Sequence, residues 1–76
     1  MAEQRPVTFI EGLVYLGRIR EVFLEECETP GYYRVIAVAD DGKRYATKCL
    51  AEEAARRLAG VWSIYIKRGW SVAQPE

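Results

Sequence analysis

Apolar and β-branched residues are concentrated on both sides of an Asp-Gly pair near the middle of the chain. Within residues 32–50, one segment rich in valine, isoleucine and tyrosine precedes Asp41-Gly42, and a second segment with aromatic and β-branched residues follows it. Two such segments around Asp-Gly are the strongest short-range signal for a β-hairpin. The pattern therefore predicts a hairpin at the centre of the fold.

Two registers of this hairpin are open from the sequence. A two-residue turn pairs Ala39 with Arg44, whereas a three-residue loop with Gly42 in the left-handed conformation pairs Arg34 with Lys48. The second register places two like charges opposite each other, which is mildly destabilising unless a carboxylate or another anion lies between them. The register decides whether the hairpin carries a paired cationic site.

The chain before the hairpin also has an extended pattern. Residues 7–10 and 13–24 are rich in apolar and β-branched side chains, and Gly12 and Gly17 interrupt them. Because glycine lacks a Cβ atom, it permits a bulge or a sharp bend within a strand. We therefore expect one long, bent first strand, followed by an acidic loop over residues 25–31.

A short helix is predicted after the hairpin, over residues 50–60. Glutamates occupy its first turn and arginines its last turn, which suits the helix dipole, and Gly60 stands where a C-terminal cap belongs. From residue 61 onward, alternation places Trp62, Ile64 and Ile66 on one face of a strand. The sequence thus predicts one short helix before the last strand.

The order of bent strand, loop, hairpin, helix and strand predicts a mainly β fold of the α+β class. It is similar to the small SH3-like barrel, in which a helical turn joins the last two strands, and the alternative is the OB-fold, a five-stranded barrel. Polar residues mark 1–5 and 73–76 as flexible tails. The predicted domain is a single small β-barrel over residues 6–72.

Two short segments give the middle of the chain a local resemblance to a known family. Gly17-Arg18-Ile19 and Thr29-Pro30-Gly31-Tyr32 resemble the middle of the plasmid-borne, trimethoprim-resistant reductases, which use an SH3-like barrel. The active pore of that family is lined by a Gln-Ile-Tyr strand, whereas this chain has Tyr45-Ala46-Thr47 at the corresponding place. The resemblance therefore implies a barrel but no reductase activity.

Charge is balanced overall but divided along the chain. Eleven basic and eleven acidic residues cancel, which removes any whole-molecule attraction to nucleic acid or to an anionic membrane. Residues 1–30 hold three arginines against six glutamates, a balance of −3, and residues 31–76 hold eight basic against five acidic residues, a balance of +3. A mixed surface charge keeps any small domain soluble. A molecule with separate acidic and basic parts is also suited to bind a charged protein partner.

The composition argues against an enzyme. Histidine is absent, which excludes Ser-His and Cys-His nucleophilic schemes. Cys27 and Cys49 fall short of the four ligands of a structural zinc site, and no glycine-rich phosphate loop or apolar stretch of about 18 residues occurs. We expect no catalytic residue, metal, cofactor or membrane contact, and we expect a cytoplasmic protein whose two cysteines are reduced and packed as small apolar residues. The alternatives that the sequence leaves open are a disulfide and a reactive Cys49 beside Lys48.

Basic residues interleaved with aromatic residues supply the candidate contact surface. The predicted partner-binding residues are Arg34, Arg44, Lys48, Lys67, Arg68 and Trp70, and the predicted acidic patch is Glu25, Glu26 and Glu28. Arginine and tryptophan are enriched at interface hot spots. The first hypothesis is a small non-enzymatic binding module, a complex subunit, adaptor or inhibitor such as phages and plasmids encode, that binds another protein or forms an oligomer with its own copies.

The alternative hypothesis uses the same surface to bind single-stranded DNA or RNA. Small barrels hold single strands by stacking bases on aromatic rings beside a cationic track. The balanced net charge and the acidic loop weigh against this hypothesis, because a phosphate backbone is repelled by carboxylates. Protein binding is therefore the first choice and nucleic-acid binding the second.

Overall fold

The computed structural model describes residues 2–67 of the 76-residue chain. Its elements in chain order are β1 (Glu3–Gln4), α1 (Val7–Tyr15), β2 (Ile19–Glu26), β3 (Tyr32–Ala39), β4 (Arg44–Ala46), β5 (Leu50–Ala51) and α2 (Glu52–Lys67). The fold is a small mixed α+β fold with five strands and two helices over these residues. Neither of the two helices is long and apolar enough to cross a membrane.

The strands form one mixed sheet with β3 near its centre. The order across the sheet is β1-β4-β3-β2, and β5 pairs with the beginning of β3. β3 runs antiparallel to β2, β4 and β5, whereas β1 runs parallel to β4. Over residues 2–67 the sheet is not closed into a barrel, so neither the predicted SH3-like barrel nor the OB-fold is confirmed.

The structure decides the register of the predicted hairpin. Ile36 lies opposite Ala46, which is the register of the three-residue loop, and Gly42 has the left-handed φ of +90° that this loop requires. β4 ends at Ala46, so the pairing of Arg34 with Lys48 that this register implied does not form. The hairpin therefore carries no pair of opposed cations.

The first half of the predicted bent strand is helix α1. Ile10 and Val14, which are four residues apart, are both buried, as one face of a helix requires. Gly17 has φ +76°, and its N–H donates to the carbonyl of Val14 while the N–H of Arg18 donates to the carbonyl of Leu13. This pair of hydrogen bonds is the Schellman motif, so Gly17 ends a helix and does not bend a strand.

Helix α2 continues through Gly60 and includes the residues predicted to form the last strand. Trp62 is fully buried, whereas Ile64 is 56% exposed, so the two side chains do not share a face. Ala55 and Trp62, seven residues apart, are both buried in the core. Their burial outweighs the cost of about 1 kcal/mol for a glycine inside a helix, and the predicted helix end at Gly60 and strand over residues 61–67 are wrong.

The hydrophobic core lies between the two helices and one face of the sheet. Its buried members are Ile10, Val14, Ile19, Val35, Ala37, Ala39, Ala55 and Trp62. Successive residues of a strand point to opposite faces of the sheet, so Arg34 and Ile36 point away from this core. Both helices contribute to the core, and within residues 2–67 the opposite face of the sheet carries no helix; we call it the open face.

The N-terminal segment belongs to the sheet as far as the structure describes it. Residues 3–4 pair in parallel with β4, and the N–H of Arg5 donates to the carbonyl of Ala46 at 2.9 Å. Arg5 also forms an ion pair with Glu3. Residues 3–5, which the sequence assigned to a flexible tail, are therefore hydrogen-bonded to β4 or to one another.

Thr47 is a buried polar residue directly after β4, and its side chain forms a hydrogen bond with β3. Its Oγ1 accepts a hydrogen bond from the N–H of Val35 at 3.0 Å and donates one to the carbonyl of Lys48 at 2.8 Å. We expect Thr47→Val to lower the free energy of unfolding by about 1 to 3 kcal/mol, because the buried N–H of Val35 loses its partner. Urea denaturation followed by circular dichroism measures the loss.

Thr47→Ser is the matched control for this substitution. Serine keeps the hydroxyl group and loses one methyl group, so we expect a loss of about 1 kcal/mol from reduced burial alone. If the valine variant is as stable as the serine variant, the two hydrogen bonds do not contribute to stability.

Candidate functional site

The open face of the sheet contains a depression of about 350 Å³. Its lining comes from β1 to β4 and the residue before β1, and consists of Ala2, Gln4, Phe23, Glu25, Arg34, Ile36, Arg44 and Ala46. Alternation along each strand brings these side chains to the same face because every second residue points the same way. We call this surface the open-face depression.

The open-face depression combines an apolar centre with charged groups. Ile36 and Ala46 are buried, and Phe23 beside them keeps 38% of its surface exposed. Two cations and one carboxylate, from Arg34, Arg44 and Glu25, complete the lining. Its formal charge is therefore +1, in a chain whose net charge is zero.

The two arginines of the depression differ in the contacts that they make with other residues of the chain. The guanidinium of Arg34 lies 3.5 Å from Oε1 of Glu25 and donates to Sγ of Cys49 at 3.3 Å. The Nε atom of Arg34 is buried and has no hydrogen-bond partner among the described residues. Arg44 is exposed and forms no ion pair within residues 2–67. Arg44 is thus the cation of this surface that is available to a partner.

The structure separates the basic residues that the sequence grouped together. Arg34 and Arg44 share the open-face depression, but Lys48 lines a different depression beside the beginning of α1. Lys67 is the last residue of α2. Arg68 and Trp70 lie outside the described residues. The described part of the chain therefore brings two of the predicted partner-binding residues together.

The predicted acidic patch lies at the end of β2 and in the following loop. Glu25 and Glu26 are the last two residues of β2, and Glu28 follows Cys27. All three glutamates are exposed. With both cysteines and Arg34, they line a second depression of about 400 Å³, which we call the disulfide depression. Glu25 and Arg34 belong to both depressions.

Cys27 and Cys49 form a disulfide, so the expectation of two reduced, core-packed thiols is wrong. Their Cα atoms are 6.3 Å apart, within the range that a disulfide spans. Cys27 directly follows β2 and Cys49 directly precedes β5, and both strands pair with β3 at Tyr33. Strand pairing therefore brings together cysteines that lie 22 residues apart in the sequence. A cytoplasmic location stays a prediction.

Base stacking would require exposed aromatic rings, but most of the described tyrosines contribute to the core. Tyr33, Tyr45 and Tyr65 are partly buried and pack against the core cluster. Tyr32 is the exception among the described tyrosines, with 44% of its surface exposed. A row of exposed rings beside a cationic track is therefore not assembled within residues 2–67.

Tyr15 takes part in the contact between the two helices. Its ring meets that of Tyr65 edge to face, with 5.0 Å between the ring centroids. Burial, followed by the negative charge and hydrogen bond of Glu11, raises the pKa of the Tyr15 phenol above its ordinary value. The hydroxyl group therefore stays protonated at neutral pH and serves packing.

Sequence reasoning missed Phe23 and the disulfide. Phe23 lies in the apolar run 22–24, where alternation does not reveal which residue faces the core. The disulfide was missed because nothing local relates Cys27 to Cys49. Among the described residues, no cluster of three or more cysteine or carboxylate side chains is placed to hold a metal ion.

Comparisons of the chain with protein-family models, with curated proteins and with solved structures find no match. The local resemblance to the trimethoprim-resistant reductases therefore gains no support from them.

Proposed function

We propose that the chain is a non-enzymatic binding module that contacts a protein partner through the open-face depression. The observation that supports this proposal is the partly exposed ring of Phe23 beside buried Ile36 and Ala46, with Arg44, which forms no ion pair within residues 2–67, in the same lining. An aromatic or aliphatic anchor next to a charged group is the arrangement typical of interface hot spots.

The charge of the depression indicates the chemistry of the partner. With two cations and one carboxylate in its lining, the depression is complementary to a segment that carries a carboxylate beside an apolar side chain. The apolar side chain would cover Phe23, and the carboxylate would pair with Arg44. Such complementarity favours association and selects against basic segments. The partner we propose is therefore an acidic and apolar protein segment.

The experiment is a selection of short random peptides displayed on phage, with the folded full-length chain as the target. We expect the selected peptides to share an aromatic or aliphatic residue next to aspartate or glutamate. Phe23→Ala should weaken a selected peptide about thirtyfold, since truncating a hot-spot residue costs about 2 kcal/mol. Arg44→Glu should also abolish the preference for acidic peptides.

Lys67→Glu is the matched control for Arg44→Glu. Lys67 is an exposed cation at the end of α2, outside the lining of the depression. It should leave peptide affinity unchanged. Thermal unfolding of each variant confirms that the chain is folded. Selection of basic peptides, or equal affinity in the Phe23→Ala variant, would reject the proposal. Salt-sensitive binding of a single-stranded oligonucleotide by the same chain would support the alternative function instead.

A further inference from the structure

The Cys27–Cys49 disulfide lies at the surface and its two sulfurs have different surroundings. Cys49 is exposed, whereas Cys27 is half-buried. The disulfide lines the disulfide depression together with Glu25, Glu26 and Glu28, so solvent reaches it there. An external thiol therefore reaches Cys49 more readily than Cys27.

The charges around the two sulfurs are also unequal. Nη2 of Arg34 donates a hydrogen bond to Sγ of Cys49 at 3.3 Å. A cation at hydrogen-bond distance stabilises a thiolate relative to a thiol. Glu25, Glu26 and Glu28 line the depression that both sulfurs share, so the hydrogen bond from Arg34, which among the described residues goes to Cys49, is what distinguishes the two sulfurs. On reduction, the negative charge is thus favoured on Cys49.

We propose that Cys27–Cys49 is a site of reversible thiol–disulfide exchange with an external thiol–disulfide couple, and that Cys49 is the sulfur that bonds to the external thiol. The inference does not rest on the proposed binding function. Arg34 is the positioning residue of this site, because it acts through the Cys49 sulfur and does not itself react. The exchange does not require the chain to be an enzyme.

The exchange is balanced in electrons and protons. In the reduced chain, the Cys49 thiolate attacks one sulfur of an external disulfide, forms a mixed disulfide and releases one external thiolate. Cys27 then loses its proton to solvent and attacks Sγ of Cys49, which releases the second external thiolate. Two electrons pass from the chain to the external disulfide. In the reverse direction an external thiolate attacks Sγ of Cys49 and Cys27 is the leaving group.

The backbone keeps the two cysteines together when the bond is broken. The N–H of Cys27 donates to the carbonyl of Tyr32 at 2.9 Å, and Leu50, next to Cys49, pairs with Tyr33. The ion pair between Arg34 and Glu25 also helps to hold the guanidinium in place. These contacts do not depend on the disulfide, so reduction leaves an exchange-competent pair of thiols.

The test is differential alkylation of the reduced full-length chain by iodoacetamide over a range of pH, with mass spectrometry of each cysteine. Alkylation follows the thiolate fraction. We expect Cys49 to react about tenfold faster than Cys27 at neutral pH, because a cation in contact raises the thiolate fraction by about that factor. Arg34→Gln should remove most of this difference, and Arg34→Lys, which keeps the charge, should retain part of it.

A second measurement uses glutathione disulfide as the external disulfide. Reduced Cys27→Ser should form the mixed disulfide faster than reduced Cys49→Ser, and circular dichroism checks the fold of each variant. Equal alkylation of both cysteines in the reduced wild-type chain, including a chain that unfolds on reduction, would overturn the proposal. An unchanged pH profile in Arg34→Gln would overturn it as well, and the disulfide would then be a structural cross-link.

Discussion

Replacing Trp62 with alanine is expected to lower the free energy of unfolding by about 3 to 5 kcal/mol, the range for truncating a buried aromatic residue. Trp62 is fully buried, and it packs against the core shared by both helices and the sheet. A chain of this length has a total stability of about 4 to 11 kcal/mol. The variant should therefore be marginally folded or unfolded at room temperature, as urea titration followed by circular dichroism will show.

Ile64→Ala is the matched control for Trp62→Ala. Ile64 lies on the same helix, two residues further on, but 56% of its surface is exposed. We expect a change within about 0.5 kcal/mol, as for other surface positions. Similar large losses in both variants would mean that residues 62 and 64 share a buried face, which is the strand pattern predicted from the sequence and not the helix.

Trp62→Phe separates the packing of the ring from its polar atom. The indole Nε1 of Trp62 is buried and has no hydrogen-bond partner among the described residues. Phenylalanine removes that unpaired donor and leaves a smaller cavity than alanine does, so this variant should lose less stability.

Reduction of the Cys27–Cys49 disulfide is expected to lower the free energy of unfolding by about 3 kcal/mol. The bond links two cysteines that lie 22 residues apart in the sequence. In the chain-entropy description, a cross-link of this span removes conformational entropy from the unfolded chain and so raises its free energy by about that much. Urea titrations with and without dithiothreitol give the difference directly. The reduced chain should still unfold cooperatively, because β2 and β5 keep their pairing with β3.

The double variant Cys27→Ser with Cys49→Ser is the control for reduction. Its stability should match that of the reduced wild-type chain within about 1 kcal/mol, and dithiothreitol should not change it. A reduced wild-type chain that is as stable as the oxidised one would show that the disulfide contributes nothing to the fold. That result would leave the proposed exchange chemistry open to its own test, since the alkylation rates do not depend on the stability gained.

The hairpin shows how much of the structure the local sequence pattern predicts in this chain. Asp41-Gly42 and its flanking segments predicted β3 and β4, and the structure contains both strands in antiparallel pairing. The register was left open because both turn types suit Asp-Gly. Thr47 helps to decide it: the hydroxyl of Thr47 bonds the N–H of Val35 directly after the last ladder pair. A hydrogen bond from a side chain to the backbone cannot be predicted from the alternation of apolar and polar residues.

The helices show where local pattern misleads. Val, Ile, Trp and Tyr favour strands by intrinsic preference, and both misassigned segments are rich in such residues. In α1 and α2, Ile10, Val14, Ala55 and Trp62 are all buried, and their spacing also fits a helix. Burial of one continuous helical face outweighs intrinsic preferences of less than about 1 kcal/mol per residue.

The candidate site was predicted in part. Arg34 and Arg44 were identified as contact residues, and they share the open-face depression. Lys48 was grouped with them because it is a basic residue interleaved with aromatic residues and because one register places it opposite Arg34, yet it lines another depression. β4 ends at Ala46, so the strand period that would have placed Lys48 on the same face no longer applies to it.

The sequence by itself determined the α+β class, the central hairpin and the balance of charge, because composition and turn chemistry act over a few neighbouring residues. Only the tertiary structure decided that the sheet stays open over residues 2–67, that Phe23 and Arg44 line one depression, and that the Cys27–Cys49 disulfide lies within hydrogen-bond distance of Arg34. These contacts join segments far apart in the chain, and their free energy depends on strand pairing and shared burial. No pattern of neighbouring residues records which distant segments will pair.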